Sequence, residues 1–478
     1  MADVSALREE LLALKAATRP LEPDHDARRA LGEQVLDHAL RFHDGIEEAP
    51  SYLPATGAFD RRFEPEFTAG GRELGDVLDF VATTVDRPGI ATSSPRFMGY
   101  IPGGGLFHSG LGDLLAATSN KYSGFASAGP GAVRIENACT RWLAEVVGYP
   151  DGASGTLTSG GSIANLTAVV TARDARDADG GGVVYLTRFA HHCVDKALKI
   201  SGRGRSLRRY VATDADHRMD AAALEAAMAE DIANGLRPWL VVASAGTVDS
   251  GAVDPLNAIA DLCERFGSWF HIDGAYGGLF ALCEQGRRRL DGIARADSIA
   301  LDPHKTLFLP YGTGAVLVRD GKLLIDAFGA EASYIQPFGG ADQVGPSPSD
   351  LSPELTRHFR AMRLWLPLQV AGIDAFRAAQ TEKLALARYL HARLSEIDGI
   401  DPGPVPQLSV VAFRHKDGDE ASDRLLDTIL RQGRVMLSGT KIDGTSYLRA
   451  AILCFRTHID HVDAAIEAIR DGMKALND

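Results

Sequence analysis

Apolar residues recur at three- and four-residue spacing over Val4–Ala16 and Asp26–Glu47, which predicts two amphipathic helices near the start of the chain. Residues 1–90 read as a helical N-terminal segment, with breakers at Pro50, Pro54 and Gly57. A glycine-rich stretch, FMGYIPGGG, follows at Phe97–Gly105. From about residue 91 to 365 the pattern changes. Short apolar runs predict strands at Val183–Thr187, Tyr210–Thr213, Trp239–Ala245, Trp269–Asp273, Ser298–Asp302 and Gly314–Arg319. Helix-like segments lie between them, among them Ser162–Arg173, Ala221–Gly235 and Asn257–Phe266. Runs that are apolar on both faces and alternate with helices predict an α/β fold, with a mostly parallel sheet covered on both sides. Residues 331–353 are rich in Gly, Pro, Ser and Asp and carry no element signal, so they are expected to form a long functional or mobile loop. Helical spacing returns over 354–395. The tail alternates a strand at Leu408–Arg414, a helix at Ala421–Gln432, a strand at Tyr447–Cys454 and a last helix from Asp460. Three domains are expected: 1–90, a large domain over 91–365, and a small C-terminal α/β domain over 366–478.

Composition narrows the function classes. The chain has 478 residues, more than one simple core organises. A net charge of −13 argues against a nucleic-acid binder, which would show a basic field. Five cysteines, at 139, 193, 263, 283 and 454, form no CxxC pair, so neither a disulfide framework nor a zinc ribbon is expected, and a reducing cytoplasm fits. The first twenty residues carry Arg8, Glu9, Glu10 and Lys15 among the apolar ones, which does not read as a signal peptide. No apolar window is long enough to predict a membrane span.

Five short stretches carry candidate chemistry. Lys305, in LDPHKT, follows a buried strand; burial tends to lower a lysine pKa, as a Schiff-base lysine requires. His304 beside it is a candidate phosphate donor. Asp273, in WFHIDGAYGG, ends an apolar run where open α/β sheets bind ligands. There a carboxylate would keep a cofactor's pyridine nitrogen protonated. Gly160, Gly161 and Ser162, in TSGGSIAN, open a helix whose first N–H groups would cradle a phosphate. His191, in FAHHCVDKA, would stack on a flat ring or act as acid or base. Thr247, in ASAGTVDSG, sits at another strand end. Each stretch alone is ordinary: an isolated His-Lys pair is usually a surface loop, and Gly-Gly-Ser a plain turn. Their common placement, at strand ends or, for TSGGS, at the opening of a helix beside the sheet, is what points to a site.

Together the motifs PRFMGYIP, TSGGSIANLTA, AHHCVDKA, HIDGAYGG and DPHK resemble the group II pyridoxal-phosphate (PLP) decarboxylases, over about Pro95 to Thr457. That family includes aromatic-L-amino-acid, glutamate, histidine and tyrosine decarboxylases. The resemblance implies the fold-type I PLP enzyme fold and a homodimer built partly by the N-terminal segment, with active sites at the subunit interface. It implies that Lys305 carries PLP as a Schiff base, Asp273 pairs with the pyridine nitrogen, Ala275 lies against the ring, and His191 stacks over it. Gly160, Gly161, Ser162 and His304 would hold the phosphate, and Thr247 would support the ring. Tyr100, Pro102 and Arg449 match substrate-pocket residues, and Phe125 matches one usually offered by the partner subunit. The implied reaction is decarboxylation of an L-amino acid to an amine and CO2.

Three positions depart from the family pattern. Asp302 stands where Asn is usual, and a carboxylate beside a phosphate dianion is unfavourable unless protonated or turned away. The loop tyrosine that supplies a proton in many members has its counterpart near Pro348, while the loop's own tyrosine is Tyr334. Thr306 replaces an aromatic residue. The last two departures keep open an aldehyde-forming oxidative deaminase or another carbon–carbon lyase on the same fold. A non-catalytic PLP-binding protein is disfavoured by Lys305, Asp273 and His191 together. A metal hydrolase using His191, His192, His271 and Asp273 lacks an HExxH or cysteine set, and no metal is expected. Arg134 in GPGAVRIE fits either an acidic substrate or, more simply, a charged helix surface.

Overall fold

In the computed structural model, residues 3–53, 67, 69–329 and 344–477 are described. Most of the expected loop, with Tyr334, lies outside the described residues, as do Pro54 and Gly57. The chain divides into two compact units, Met1–Ala91 and Thr92–Asp478.

The first unit holds helices Val4–Ala17 and His25–Asp44. Each begins on an aspartate whose carboxylate accepts a first-turn N–H, Asp3 from Ser5 and Asp24 from Ala27, both at 3.0 Å. Two-residue strands β1 (Tyr52–Leu53) and β2 (Gly89–Ile90) pair antiparallel. Neither helix buries a residue.

The second unit is built on seven strands: β3 (Ser154–Thr158), β4 (Val183–Leu186), β5 (Arg208–Tyr210), β6 (Pro238–Ser244), β7 (Trp269–Gly274), β8 (Ser298–Leu301) and β9 (Gly314–Val318). They lie in the order β3-β9-β8-β7-β6-β4-β5. β9 runs antiparallel to both its neighbours, and the other pairings are parallel. Alternate residues feed different cores, as strand geometry requires. Ala315 and Leu317 of β9 join one cluster with Phe270, Ile272, Ile299 and Leu301, while Val316 and Val318 join another with Ala164, Ala168 and Ala300. The expected mostly parallel, doubly covered sheet is present.

Two strand expectations differ from the structure. The run at Tyr210–Thr213 is displaced: β5 pairs through Arg208–Tyr210. It is an edge strand, so arginines are tolerated there, and Arg209 pairs with buried Asp231. β3 was not expected at all, because SGTLT reads as polar; yet Gly155 to Thr158 are buried.

Residues 366–478 contribute a second sheet, β10 (Ile400–Asp401), β11 (Val410–His415), β12 (Ser438–Ile442) and β13 (Thr445–Ala451), in the order β10-β11-β13-β12. It packs a core of its own against helices Ile373–Leu394, Asp419–Gln432 and Ile459–Asn477. Among the described residues no helix is long and apolar enough to cross a membrane. All five cysteines are free thiols and buried.

One ion pair ties three parts of the large sheet's surroundings. Arg357 and Glu136 approach to 2.9 Å with both side chains essentially sealed from solvent. Glu136 lies on helix Pro130–Val147 and also accepts from the Leu157 amide of β3 at 3.1 Å. Arg357 donates to Thr156 Oγ1 at 2.9 Å and to the Leu157 carbonyl. Removing one partner strands the other charge, so Arg357→Leu is expected to lower the unfolding free energy by about 3–5 kcal/mol, read from denaturant midpoints.

Candidate active site

Because β3, β4, β6, β7 and β8 share one direction, their C-terminal ends meet at one edge of the sheet. The segments that leave those ends line a cavity of about 300 Å³. β3 leads to Gly160–Ser162, β4 to His191 and Cys193, β6 to Thr247 and Val248, β7 to Asp273 and Ala275, and β8 to Asp302, His304 and Lys305. Every residue expected to touch the cofactor is brought together here.

The helix Gly161–Arg176 points its first turn at the cavity. Its cap, Gly160, has φ +153°, and a Cβ on Gly161 would stand 2.9 Å from Asp302 Oδ2 and 3.1 Å from the Ala275 Cβ. Only glycine lets the backbone come this close. The leading amides of a helix have no partner within it, so they make an anion site here.

Lys305 sits on the short turn Pro303–Thr306, with Nζ 3.0 Å from Asp302 Oδ2. The expectation of a lowered pKa is corrected. Burial pulls it down, but the Asp302 and Asp273 carboxylates outweigh burial and leave the ammonium above its ordinary range. The turn is pinned from both sides. Thr306 donates to the Tyr276 carbonyl, and Gln380 donates to the Thr306 carbonyl at 3.1 Å. Against it packs the glycine-rich stretch, where a Cβ on Gly103 would fall 1.9 Å from the His304 carbonyl oxygen.

His304 Nδ1 lies 2.7 Å from the Thr313 carbonyl, an acceptor only, so Nδ1 carries the proton. Burial lowers its pKa, with Asp302 opposing. In the neutral ring Nε2 is therefore an acceptor, and donation to a phosphate requires protonation. His191 shows the opposite tautomer: Nδ1 accepts from the Cys193 amide at 3.3 Å, leaving the proton on Nε2. Burial lowers its pKa too, helped by His192 and Lys305 and opposed by Asp273 and Asp302. The His192 ring lies 4.2 Å away, centroid to centroid.

Four residues expected in a substrate pocket are not among those lining this cavity. Tyr100 is exposed at 56 % and has φ +47°. Pro102 is buried, and Phe125 is half-buried. Arg449 is buried and donates to the Val248 carbonyl at 2.6 Å, the Tyr100 carbonyl at 2.6 Å and Ser438 Oγ at 3.0 Å. It clamps the β6 exit to the glycine-rich stretch. Arg134 lies exposed on helix Pro130–Val147.

The sequence reading gave Asn165 no role and His271 only a place in the metal-hydrolase alternative. His271 Nε2 meets Asn165 Oδ1 at 2.7 Å, and Asn165 donates to the Gly161 carbonyl at 2.8 Å. His271 Nδ1 meets Ser298 Oγ at 2.8 Å, and Ser298 accepts from Trp269 Nε1 at 2.8 Å. With both ring nitrogens engaged, His271 is a strut beneath the anion site. The alternation that puts His271 on the same strand face as Asp273 was the available signal.

The matched family model carries the description "Pyridoxal-dependent decarboxylase conserved domain" and covers residues 60–416. The chain belongs to the pyridoxal-dependent decarboxylase family. Its cofactor is pyridoxal phosphate and its class is PLP-dependent carboxy-lyase. An aromatic-L-amino-acid decarboxylase of Bacillus atrophaeus is 33% identical, over 91% of this chain and 93% of the relative. Tyrosine decarboxylase 4 of Petroselinum crispum is 29% identical, over 100% of this chain and 99% of the relative. The structure of Oryza sativa TDC with PLP and tryptamine superposes with a TM-score of 0.88 at 25% identity, covering 95% of this chain and 99% of that one. The residues of this decarboxylase cavity fit PLP: a glycine-opened helix start for the phosphate, a carboxylate at a strand end, and an amine beyond the next strand.

Burial drops the pKa of His271 to about 4, below its ordinary 6.5. The unfolded chain thus takes up this proton first, and stability falls as pH falls from 6.5 towards 4, by about 1.4 kcal/mol per pH unit for one proton. In His271→Gln this component is absent. Urea midpoints at pH 7 and pH 5 are expected to differ less for the variant than for the wild type.

Proposed function

We propose that this enzyme decarboxylates an L-amino acid, with Lys305 as the amine that carries PLP. The observation behind this reading is the placement of Lys305 Nζ in the same cavity as Asp273 and the Gly160–Ser162 helix start. Bound there, PLP supplies an electron sink for the pair left on Cα when CO2 departs. Asp273, whose Oδ1 accepts the Ala275 amide at 3.1 Å, would pair with the ring nitrogen and keep it protonated. Gly160, Gly161 and Ser162 offer the phosphate their amides, and Thr247 and Ala275 bound the ring. His191 would lie against the ring, with a neutral imidazole whose Nε2–H is free to donate. Tyr100, Pro102, Phe125 and Arg449 contribute at most to the outer substrate pocket, Arg449 through the backbone segments it clamps. The aromatic substrates named for the relatives make an aromatic L-amino acid the first candidate.

We also read the protein as a cytoplasmic homodimer with Phe125 reaching the partner's site. Helices Val4–Ala17 and His25–Asp44 leave Leu7, Leu11, Val35 and Leu40 exposed, an apolar surface suited to a second copy.

A second outcome is favoured by one position. Pro348 begins a short turn at Pro348–Asp350 and has no O–H to give a proton to Cα. A phenylacetaldehyde synthase of Arabidopsis thaliana is among the relatives, 25% identical over 95% of this chain. Oxidative deamination by O2 after CO2 loss would give an aldehyde instead of an amine.

Three measurements test this reading. Purified protein with PLP is expected to show a visible absorption band that Lys305→Ala abolishes, and Asp273→Asn is expected to lower turnover roughly 10²–10³-fold, as loss of a charge-stabilising group does. With L-tyrosine, L-phenylalanine, L-tryptophan and L-glutamate as substrates, CO2 with a stoichiometric amine supports decarboxylation. CO2 with aldehyde, ammonia and peroxide replaces it by the second outcome.

A further inference from the structure

Asp302 occupies the boundary between the lysine and the anion site. Its Oδ2 lies 3.0 Å from Lys305 Nζ and 3.7 Å from His304 Nε2. The same oxygen would stand 2.9 Å from a Cβ on Gly161. Its Oδ1 is buried and has no hydrogen-bond partner among the described residues. The carboxylate is therefore not turned away from the helix start, and one of its oxygens is unsatisfied.

Two chemical requirements meet at this point. An ammonium is not a nucleophile, so Lys305 must lose a proton before it reacts. A carboxylate and a phosphate dianion repel at this range, so one of them must be neutralised. A single proton transfer meets both. Resting on the reading of Lys305 as the attachment point, we propose that Asp302 takes the proton of the Lys305 ammonium as PLP attaches, and then presents it from a neutral carboxyl to the phosphate.

The step balances. The proton moves from Nζ to Oδ2. The freed lone pair of Nζ forms a bond to the aldehyde carbon. The aldehyde oxygen leaves as water with the two protons remaining on nitrogen, and a C=N bond results. No outside acid, base or oxidant is consumed.

The groups facing Asp302 leave Lys305 as the proton source. They are His304 and Lys305 on its own turn, Asp273 from β7, and His191 and Cys193 from the segment after β4. Both histidines are held towards the neutral form by burial, and burial pushes the Cys193 thiol well up. Asp273 is an acceptor. The Lys305 ammonium, 3.0 Å from Asp302 Oδ2, is the cation of the set.

Difference infrared spectroscopy on the full chain, before and after adding PLP, reads the proton directly. The wild type is expected to gain the C=O stretching band of a protonated carboxyl on loading. That band should shift in ²H2O and be lost in Asp302→Asn, while visible absorbance reports that both proteins carry PLP. Loading without a new carboxyl band in the wild type overturns the proposal, whatever the variant does. So does a band that survives in Asp302→Asn. A wild type that shows no visible absorbance with PLP refutes the role of Lys305 itself, and the Asp302 proposal falls with it.

Discussion

The structure depends on strand direction. Six strands of the large sheet run the same way, and the turns that leave five of them meet around one cavity at one edge. No turn carries enough chemistry alone: one offers amides, one an imidazole, one a hydroxyl, one a carboxylate and one an amine. Parallel pairing places them around a single cavity although they lie far apart along the chain. The antiparallel β9 enters at the same edge, and Thr313, the residue before it, supplies the carbonyl that fixes the His304 tautomer.

Much of this was legible from residue order. Lys305, Asp273 and His191 follow apolar runs whose alternation with helices implied the parallel sheet, and the Gly160–Ser162 turn was legible as the opening of a helix. What escaped were features whose residues look unremarkable in a linear reading. β3 is buried through small and hydroxylated side chains, so hydropathy did not mark it. Asn165 reads as an ordinary helix residue until His271 is seen across from it. The pKa of Lys305 was misjudged because burial was weighed without the two carboxylates that only the fold places beside it. Arg449, matched to the substrate pocket by motif, has a guanidinium on two backbone carbonyls and Ser438 Oγ, a clamping role that no motif marks.

The electrostatics of the cavity are correspondingly unusual for an anion site. Two carboxylates, Asp273 and Asp302, surround one ammonium, and three nearby imidazoles are driven towards neutrality by burial. Positive potential for the phosphate then comes chiefly from backbone amides at the start of helix Gly161–Arg176. These amides need no proton, and the chain from Trp269 through Ser298, His271 and Asn165 holds their first carbonyl in place without adding charge.

The missing side chain at Gly103 has a consequence for redesign. With the His304 carbonyl where a Cβ would be, this residue acts as a bearing surface between the glycine-rich stretch and the lysine turn. Tyr100, three residues earlier, is exposed; its carbonyl accepts from Arg449 and its ring lies 6.3 Å from that of Phe97, centroid to centroid. Side-chain change is therefore tolerated at 100 among residues that accept its φ of +47°, and forbidden at 103. A library aimed at altered selectivity should diversify the former and keep the latter fixed, because a displaced bearing would move the lysine and change chemistry and recognition together.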